Sequence, residues 1–262
     1  MKVQAKNISL CYNTCPVLDQ VDFEIAEGEL VGLIGPNGAG KTSLLKILAG
    51  IQQPDNGELL IDGARLDEIN RKALAKKMAY LEQGAPAYWP LTVQRVIELG
   101  RMPHQNPWQA LTDEDHDIIE KAMVTADVHL LRNRTVTTLS GGERLRVMLA
   151  RIFATQPNVI LADEPIAALD PYHQLQTMEL LKQHCKQGGS CIVVLHDLNM
   201  AARFCDRLAL LNLGELVQDS HPEALLNSNN IEKVYGIRAE CIRNDNGLWI
   251  IPKERTHWDE KT

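Results

Sequence analysis

The sequence predicts an α/β fold in which helices cover both faces of a mainly parallel sheet. In the second half of the chain, an apolar segment, Val159–Ala162, precedes a helical segment, Tyr172–Gln187, and a second apolar segment, Cys191–Leu195. Strands and helices that alternate in this order form parallel sheets. An earlier apolar segment, Leu30–Ile34, runs directly into a glycine-rich loop. Ligands of such sheets bind at the carboxyl ends of the strands, so functional residues are expected directly after strands.

The N-terminal residues predict a small antiparallel β subdomain in front of this core. Polar and apolar residues alternate in Val3–Lys6 and again in Val21–Ile25, and the turn residues Glu27 and Gly28 follow. Alternation with a period of two is typical of strands that bury one face. We therefore expect short antiparallel strands between residues 3 and 32.

The middle of the chain predicts an inserted α-helical subdomain. Thr92 is placed to cap one helix, and Thr112 with Asp115 resembles a capping box before another. The segment Glu143–Gln156 carries apolar residues at helical spacing. The expected division is a discontinuous core, residues 1–84 and 157–236, a helical subdomain, residues 85–156, and a C-terminal tail, residues 237–262, in which no element is assigned.

Composition and charge narrow the class of function. The 262 residues are 45% apolar and 23% charged, as in ordinary globular proteins. A net charge of −7 lacks the basic footprint of nucleic-acid binding, so no nucleic-acid partner is expected. No secretory signal and no apolar run of about 18 residues is present, so a membrane role is expected to come through a partner. The six cysteines form no C-x-x-C pair and are expected to be mostly small buried residues of a cytosolic protein.

A glycine-rich motif after Leu30–Ile34 predicts a site for the phosphates of a nucleotide. Residues 35–42 match G-x-x-x-x-G-K-[ST], whose backbone N–H groups and following helix N-terminus attract anions. Lys41 is expected to reach the β- and γ-phosphates, and Thr42 to bind Mg²⁺ through its hydroxyl. A simple tight turn is the alternative, but the motif lies between a strand and a helix. The predicted cradle consists of Gly35, Pro36, Asn37, Gly38, Ala39, Gly40, Lys41, Thr42 and the adjacent Ser43.

Two adjacent carboxylates end the apolar segment Val159–Ala162. A buried strand does not end in Asp163 and Glu164 unless a cation or a reaction holds these charges there. We expect Asp163 to bind Mg²⁺ through water, and Glu164, which faces the other way, to orient and deprotonate an attacking water. Capping of a following helix is the alternative interpretation.

The segment Ser140-Gly141-Gly142-Glu143 predicts a second anion site. A hydroxyl, two glycines and a helix N-terminus follow one another there. One chain does not need two sites for one γ-phosphate, whereas two chains placed head to tail would use both. The sequence therefore predicts a homodimer with a nucleotide held between the copies. An ordinary helix N-cap is the alternative interpretation.

Together with Leu139, this segment resembles the L-S-G-G-Q/E signature of the ATP-binding-cassette ATPases, and the resemblance extends to about residue 240. It implies a P-loop NTPase core that hydrolyses ATP with Mg²⁺. Tyr12 resembles the aromatic residue that stacks on adenine, and Gln83 resembles the Q-loop glutamine that links Mg²⁺ to the helical subdomain. Asp170 resembles the D-loop aspartate, and His196 the switch histidine that contacts the γ-phosphate. The resemblance thus makes Lys41, Gln83, Glu164 and His196 the catalytic residues.

Each of the four further residues also has a simpler interpretation. Tyr12 could be an ordinary strand aromatic, and Gln83 an ordinary surface residue. His196 could cap the helix that follows it, and Asp170 is expected to cap its own following helix in any case. Glu143 stands where the family more often has glutamine, a change that removes no functional group.

The segment Leu99–His104 is similar to the corresponding part of importer ATPases for ferric siderophores, haem and cobalamin. This resemblance implies a peripheral protein on the cytoplasmic face of the inner or plasma membrane, bound to polytopic permease subunits that an extracytoplasmic substrate-binding protein serves. Tyr88 and Trp89 are candidate contacts with a permease, and packing within the helical subdomain is the alternative. Other classes are a different transporter motor, a soluble cassette ATPase acting on DNA or ribosomes, and a GTPase or kinase. The chain has no N-K-x-D motif, paired cassette or long coiled-coil insertion.

Overall fold

The computed structural model describes residues 1–84, 89–106, 109–167, 169–244 and 247–256 of the chain. The strands are β1 (Val3–Tyr12), β2 (Cys15–Ile25), β3 (Leu30–Ile34), β4 (Asn56–Ile61), β5 (Ala64–Arg65), β6 (Met78–Leu81), β7 (Val159–Asp163), β8 (Ser190–Val194), β9 (Arg207–Asn212), β10 (Glu215–Ser220), β11 (Ile237–Asn244) and β12 (Gly247–Arg255). The α-helices are α1 (Lys41–Leu48), α2 (Arg71–Lys77), α3 (Val93–Glu98), α4 (Asp113–Thr125), α5 (Gly141–Thr155), α6 (Pro171–Lys186), α7 (Leu198–Phe204), α8 (Pro222–Leu225) and α9 (Ser228–Tyr235). Within these described ranges, no helix is both long and apolar enough to cross a membrane.

Six strands form the central sheet, in the order β10-β9-β3-β8-β7-β6. Five of them are parallel, and β10 pairs antiparallel with β9 at one edge. The predicted parallel sheet is therefore confirmed. Because β3, β8, β7 and β6 point in one direction, the loops that follow them leave the same edge of the sheet.

The predicted antiparallel β subdomain is a second sheet of four strands, in the order β2-β1-β4-β5. The pair β1–β2 extends from Val3 opposite Ile25 to Tyr12 opposite Cys15. Strands β4 and β5, to which the sequence analysis assigned no element, complete the sheet on the other side of β1.

Both faces of the central sheet are covered, as the alternation along β3 demonstrates. Leu30 and Ile34 pack in one apolar cluster with α5, α6, α7 and α9. Val31 and Leu33 pack in the other, with α1 and the antiparallel sheet. Since alternate side chains of a strand point to opposite faces, the entire apolar strand is buried.

The helical segment between β6 and β7 begins its helices where the polar residues predict. The Thr92 hydroxyl accepts a hydrogen bond from the Arg95 backbone N–H at the start of α3. Thr112 and Asp115 form the predicted capping box at the start of α4. Helix α5 begins two residues before the predicted Glu143, because Ser140 is its N-cap and Glu143 occupies the third helical position.

The C-terminal residues form a hairpin that the sequence analysis did not assign. Strands β11 and β12 pair from Ile237 opposite Arg255, with an irregularity after Arg238. Ala239 and Ile250 are buried in the apolar cluster on the helical face. The Ile250 backbone also exchanges two hydrogen bonds with the Asn199 side chain of α7. The hairpin is thus anchored by contacts that are distant in the sequence.

An ionic cluster around Arg207 joins the two sheets. Arg207 donates to the Glu29 carboxylate at 2.6 Å, to the Glu24 backbone carbonyl at 2.6 Å, and to Asp219. Burial acts against the charged guanidinium, but the carboxylates of Glu29 and Asp219 outweigh it and raise the pKa of Arg207. The cluster therefore ties β2 and the start of β3 to β9 and β10.

Replacement of Arg207 by methionine is expected to lower the free energy of unfolding by about 2 kcal/mol, because two half-buried carboxylates lose their partner. Urea denaturation measures the change. Arg238→Met, which breaks exposed ion pairs with Glu232 and Glu254, is the control and should leave the same quantity almost unchanged, because solvent screens exposed pairs. Equal unfolding midpoints for the two variants would contradict the role given to the cluster.

Candidate active site

The structure brings most of the predicted site residues to one edge of the central sheet. The glycine-rich loop follows β3, Glu164 follows β7, His196 follows β8 and Gln83 follows β6. The order β3-β8-β7-β6 places these loops side by side. The parallel sheet thus collects residues that lie more than 160 positions apart in the sequence.

The glycine-rich loop curls tightly between β3 and α1. Gly35 has a φ of 144°, and a Cβ atom there would lie 2.0 Å from the Leu211 carbonyl oxygen, so only glycine fits. The Lys41 ammonium is buried and donates to the carbonyl oxygens of Gly35 and Pro36, at 2.8 and 2.7 Å. Burial lowers the pKa of Lys41, and the charges of Glu164 and Asp163 act in the opposite direction. The lysine side chain therefore folds back over its own loop. An anionic phosphate bound there would compete with the two carbonyl oxygens as acceptor of its hydrogen bonds.

Asp163 ends β7 and is almost fully buried, at 1% exposure. Its Oδ1 accepts a hydrogen bond of 3.2 Å from the Thr42 hydroxyl. Its Oδ2 is buried and has no hydrogen-bond partner among the described residues. Burial raises the pKa of Asp163, and the bond from Thr42 opposes this shift.

Tyr80 of β6 contributes a second buried oxygen atom near the Asp163 carboxylate. Its hydroxyl has no hydrogen-bond partner among the described residues, and burial together with the charge of Asp163 raises the pKa of the phenol. The sequence analysis missed Tyr80 as a site residue. Its position in the short strand directly before Gln83 is the signal that could have indicated it.

The residues around Asp163 fit a magnesium ion. An unpartnered carboxylate oxygen beside the Thr42 hydroxyl offers the hard oxygen ligands that Mg²⁺ prefers. No group of three or more His, Cys, Asp or Glu side chains in the described part of the chain could hold a metal ion.

Glu164 and His196 are in direct contact. His196 Nε2 lies 2.8 Å from Glu164 Oε1, and both side chains remain partly accessible to solvent. Glu164 has a φ of 50°, a left-handed conformation that costs a residue with a side chain about 1 kcal/mol or more. The capping alternative for His196 is wrong, because Asp197 is the N-cap of α7. Glu164 caps no helix either, since α6 begins after its N-cap Asp170.

Ser140 and Glu143 form a complete capping box at the N-terminus of α5. The Ser140 backbone N–H donates to Glu143 Oε2 at 2.8 Å, and the Glu143 N–H donates to the Ser140 hydroxyl at 3.2 Å. The bond from the Ser140 backbone N–H to the carboxylate is the main cause that lowers the pKa of Glu143. The N-cap interpretation is therefore correct as geometry. Ser140 and Gly141 are nevertheless exposed, so this helix end is open to a further ligand.

The remaining predicted residues have different surroundings. Tyr12 is half exposed at the end of β1, and its hydroxyl donates to Gln52 Oε1 at 2.9 Å beside a depression of about 730 Å³. Gln52 is a contact that no sequence signal indicated. Gln83 is exposed in the turn after β6. Asp170 caps α6 as expected and also contacts the His173 ring at 2.9 Å; its neighbour Ala168 lies outside the described residues.

The fold and this edge of the sheet define the class of protein as a P-loop nucleoside triphosphatase. The glycine-rich loop carries a buried lysine, and a threonine lies next to the buried aspartate that ends β7. The adjacent glutamate contacts a histidine. A protein-family model described as "ABC transporter" matches residues 18–167. The chain belongs to the ATP-binding-cassette transporter family and is an ATPase of that family.

Characterised relatives and solved structures agree with this assignment. The hemin import ATP-binding protein HmuV of Nocardia farcinica is 43% identical over 86% of this chain and 78% of its own length. The ferric enterobactin transport ATP-binding protein FepC of Escherichia coli is 33% identical over 92% and 89%. A dimeric ATP-binding cassette with bound ADP and phosphate is 30% identical, with a TM-score of 0.75 over 84% of this chain and 98% of its own. A putative metal-chelate transporter in an inward-facing conformation shares the fold, at 22% identity and a TM-score of 0.81 over 96% of both chains.

Truncation of Tyr12 tests the position of the nucleotide base. Tyr12→Ala is expected to raise the Kd for ATP about tenfold, because stacking of a base on an aromatic ring contributes about 1–3 kcal/mol. Tyr12→Phe keeps the ring and loses only the bond to Gln52, so its Kd should stay within about threefold of the parent. Fluorescence titration with a labelled ATP measures both values. Equal effects of the two substitutions would exclude stacking on Tyr12.

Proposed function

We propose that this chain is the ATP-hydrolysing subunit of a membrane importer whose cargo is of the iron-chelate, haem or cobalamin type. The single observation that carries the proposal is that one chain holds two separate positions suited to phosphate, the buried Lys41–Asp163 edge and the exposed N-terminus of α5 at Ser140. Family membership and the named import functions of relatives such as HmuV and FepC support the choice of an importer.

ATP is bound by its phosphates and its base. Lys41 exchanges its carbonyl partners in Gly35 and Pro36 for the β- and γ-phosphates, and backbone N–H groups of the loop from Gly35 to Ser43 complete the cradle. Tyr12 stacks on the adenine, with its ring orientation fixed by Gln52. The burial that disfavours the charge on Lys41 is thereby compensated.

Thr42, Asp163 and Gln83 are the residues that would hold Mg²⁺. When bound, the ion supplies positive charge that neutralises the β- and γ-phosphate oxygens. The unpartnered Oδ2 of Asp163 and the neighbouring Tyr80 hydroxyl support this assignment, because they are buried polar atoms that need a ligand or water.

Hydrolysis uses Glu164 as the base. Its carboxylate orients a water molecule and accepts a proton from it as the water oxygen bonds to the γ-phosphorus and the bond to the β–γ bridging oxygen breaks. His196 Nε2 holds the carboxylate before the nucleotide binds and then turns to the γ-phosphate. ADP leaves with the bridging oxygen, and inorganic phosphate carries the oxygen of the water.

Two copies of the chain share each nucleotide. The Ser140–Gly142 segment, which is exposed at Ser140 and Gly141, and the positive end of α5 contact the γ-phosphate that the other copy holds. Asp170, the N-cap of α6, is the D-loop candidate for contact with the other copy. ATP therefore joins the copies, and hydrolysis removes the negative group that bridges them.

The helical subdomain transmits this movement to polytopic permease subunits at the cytoplasmic face of the membrane. Exposed apolar side chains in the helical segment that follows Gln83 in the chain support a docking surface there, namely Trp89, Leu91, Leu99 and Met102. Tyr88, the other predicted anchor, lies outside the described residues. An extracytoplasmic substrate-binding protein delivers the cargo to the permease.

Glu164→Gln is expected to slow ATP hydrolysis at least 100-fold, because the amide cannot accept the proton of the attacking water. Since ATP binding is retained, the variant should double its mass in ATP, as measured by light scattering after gel filtration. The control is Lys41→Ala in the same background, which should stay monomeric. A Glu164→Gln variant that remains monomeric at all concentrations while the parent hydrolyses ATP as single chains would refute the shared site.

Reconstitution tests the importer assignment. The chain should copurify with a polytopic membrane protein and, in proteoliposomes with it, drive ATP-dependent uptake of haem or a ferric siderophore. Trp89→Ala should reduce uptake at least fivefold and leave the ATPase rate of the isolated chain within twofold, as expected when a docking anchor is lost (about 1 kcal/mol or more). Leu213→Ala, which truncates a side chain of equal 76% exposure, should not affect uptake. Uptake that persists without the chain would contradict the proposal.

A further inference from the structure

The segment Leu99–His104 forms a 3₁₀ helix that lies against the C-terminal part of α5. Gly100 is buried at the contact, and a Cβ atom there would lie 2.2 Å from the Arg151 carbonyl oxygen. Any other residue would push the two elements apart. The sequence analysis used this segment only as a mark of similarity to importers, and neither nucleotide binding nor hydrolysis involves it.

Two side chains of this segment cap the end of α5. The last carbonyls of a helix have no partner inside the helix. Arg101 Nη1 donates to the Ala154 carbonyl at 2.8 Å, and His104 Nε2 donates to the Thr155 carbonyl at 2.9 Å. Because a carbonyl only accepts, His104 carries its proton on Nε2. Ala154 and Thr155 are buried, so these side chains take the place of solvent.

Asp115 holds the guanidinium in position. Arg101 Nε donates to Asp115 Oδ1 at 2.7 Å, and both residues are at most 7% exposed. The other oxygen of Asp115 accepts from the backbone N–H and the hydroxyl of Thr112, at 3.0 and 2.9 Å. The Thr112 bonds and the Arg101 charge bring the pKa of Asp115 to about 2, so it is ionised at neutral pH. One carboxylate therefore joins the start of α4 to the end of α5.

The opposite end of α5 carries the exposed Ser140. With 15 residues, α5 is about 22 Å long and behaves as a stiff rod. An element that fixes one end of such a rod also fixes the direction in which the other end points. Arg101 and His104 hold the C-terminal end, so the position of Ser140 depends on them.

We propose that Leu99–His104 is a positioning clamp that aligns α5, so that Ser140 meets the nucleotide held by a second copy of this chain. This inference rests on the shared nucleotide site proposed above. Arg101 and His104 contact neither ATP nor the reacting atoms, and they act on the pairing of two copies through α5.

The test compares His104→Leu with His104→Gln, each in the Glu164→Gln background. Leucine removes the bond to Thr155, whereas the glutamine amide places a donor where the imidazole has Nε2. With ATP present, His104→Leu should raise the protein concentration at half-dimerisation about tenfold, because both copies lose alignment. His104→Gln should stay within about threefold of the parent. The Kd of the monomer for labelled ATP should stay within about twofold in all variants, since the phosphate loop is unchanged.

His221→Leu is the matched control for a general loss of stability. It removes a histidine side chain that accepts a bond from the Glu223 N–H at the start of α8, away from α5. The clamp is overturned if His221→Leu and His104→Leu weaken dimerisation equally, or if His104→Leu leaves it unchanged in samples that urea denaturation shows to be folded. If the Glu164→Gln parent does not dimerise with ATP, the shared site and the clamp fail together.

Discussion

Two buried charges of opposite sign at the carboxyl edge of the central sheet are the constraint on which the site depends. Lys41 and Asp163 are 6% and 1% exposed. Burial lowers the pKa of the lysine and raises that of the aspartate, and both shifts disfavour the charged forms that the proposed phosphate and metal contacts require. Their mutual attraction offsets part of this cost. A nucleotide and its cation would offset the rest, which gives ligand binding a physical driving force.

The parallel sheet is what makes this pairing possible. Lys41 follows β3, and Asp163 ends β7, with β8 between the two strands. Each strand is buried on both faces, so its end is held firmly by the two apolar clusters. That rigidity also sustains the left-handed backbone of Glu164, whose side chain contacts His196.

Helix α5 connects the chemistry of the nucleotide to the rest of the helical subdomain. At its N-terminus, Ser140 and Glu143 form a capping box that provides hydrogen-bond partners for the backbone N–H groups of these two residues. The helix end is therefore ordered, and it is also exposed. Its C-terminus depends on side chains from another segment, Arg101 and His104. A movement of the helical subdomain therefore moves the signature segment with it, and binding at Ser140 is expected to act back on the subdomain by the same path.

Predictions from the sequence succeeded where the signal lies within a few neighbouring residues. The strand-loop-helix pattern around Gly35–Thr42, the acidic end of β7 and the capping residues Thr92 and Thr112 all follow from local spacing. The parallel sheet followed because alternating strands and helices have few arrangements that bury both faces of a strand. These features also located most of the site, since parallel strands collect their following loops at one edge.

Only the tertiary structure decided the contacts between residues that are distant in the sequence. Three such contacts have no local sequence pattern, because each pair of partners meets only in three dimensions. They are the Tyr80 hydroxyl near Asp163, the hydrogen bond from Tyr12 to Gln52, and the hydrogen bonds from Arg101 and His104 to the end of α5. The hairpin β11–β12 was missed for the same reason. Its strands show no clear local alternation, and the hairpin is stabilised by burial of Ala239 and Ile250 against helices that are distant in the sequence. The sequence by itself therefore indicated which groups are candidates to bind the phosphates, and the packing of its elements decided how those groups are held.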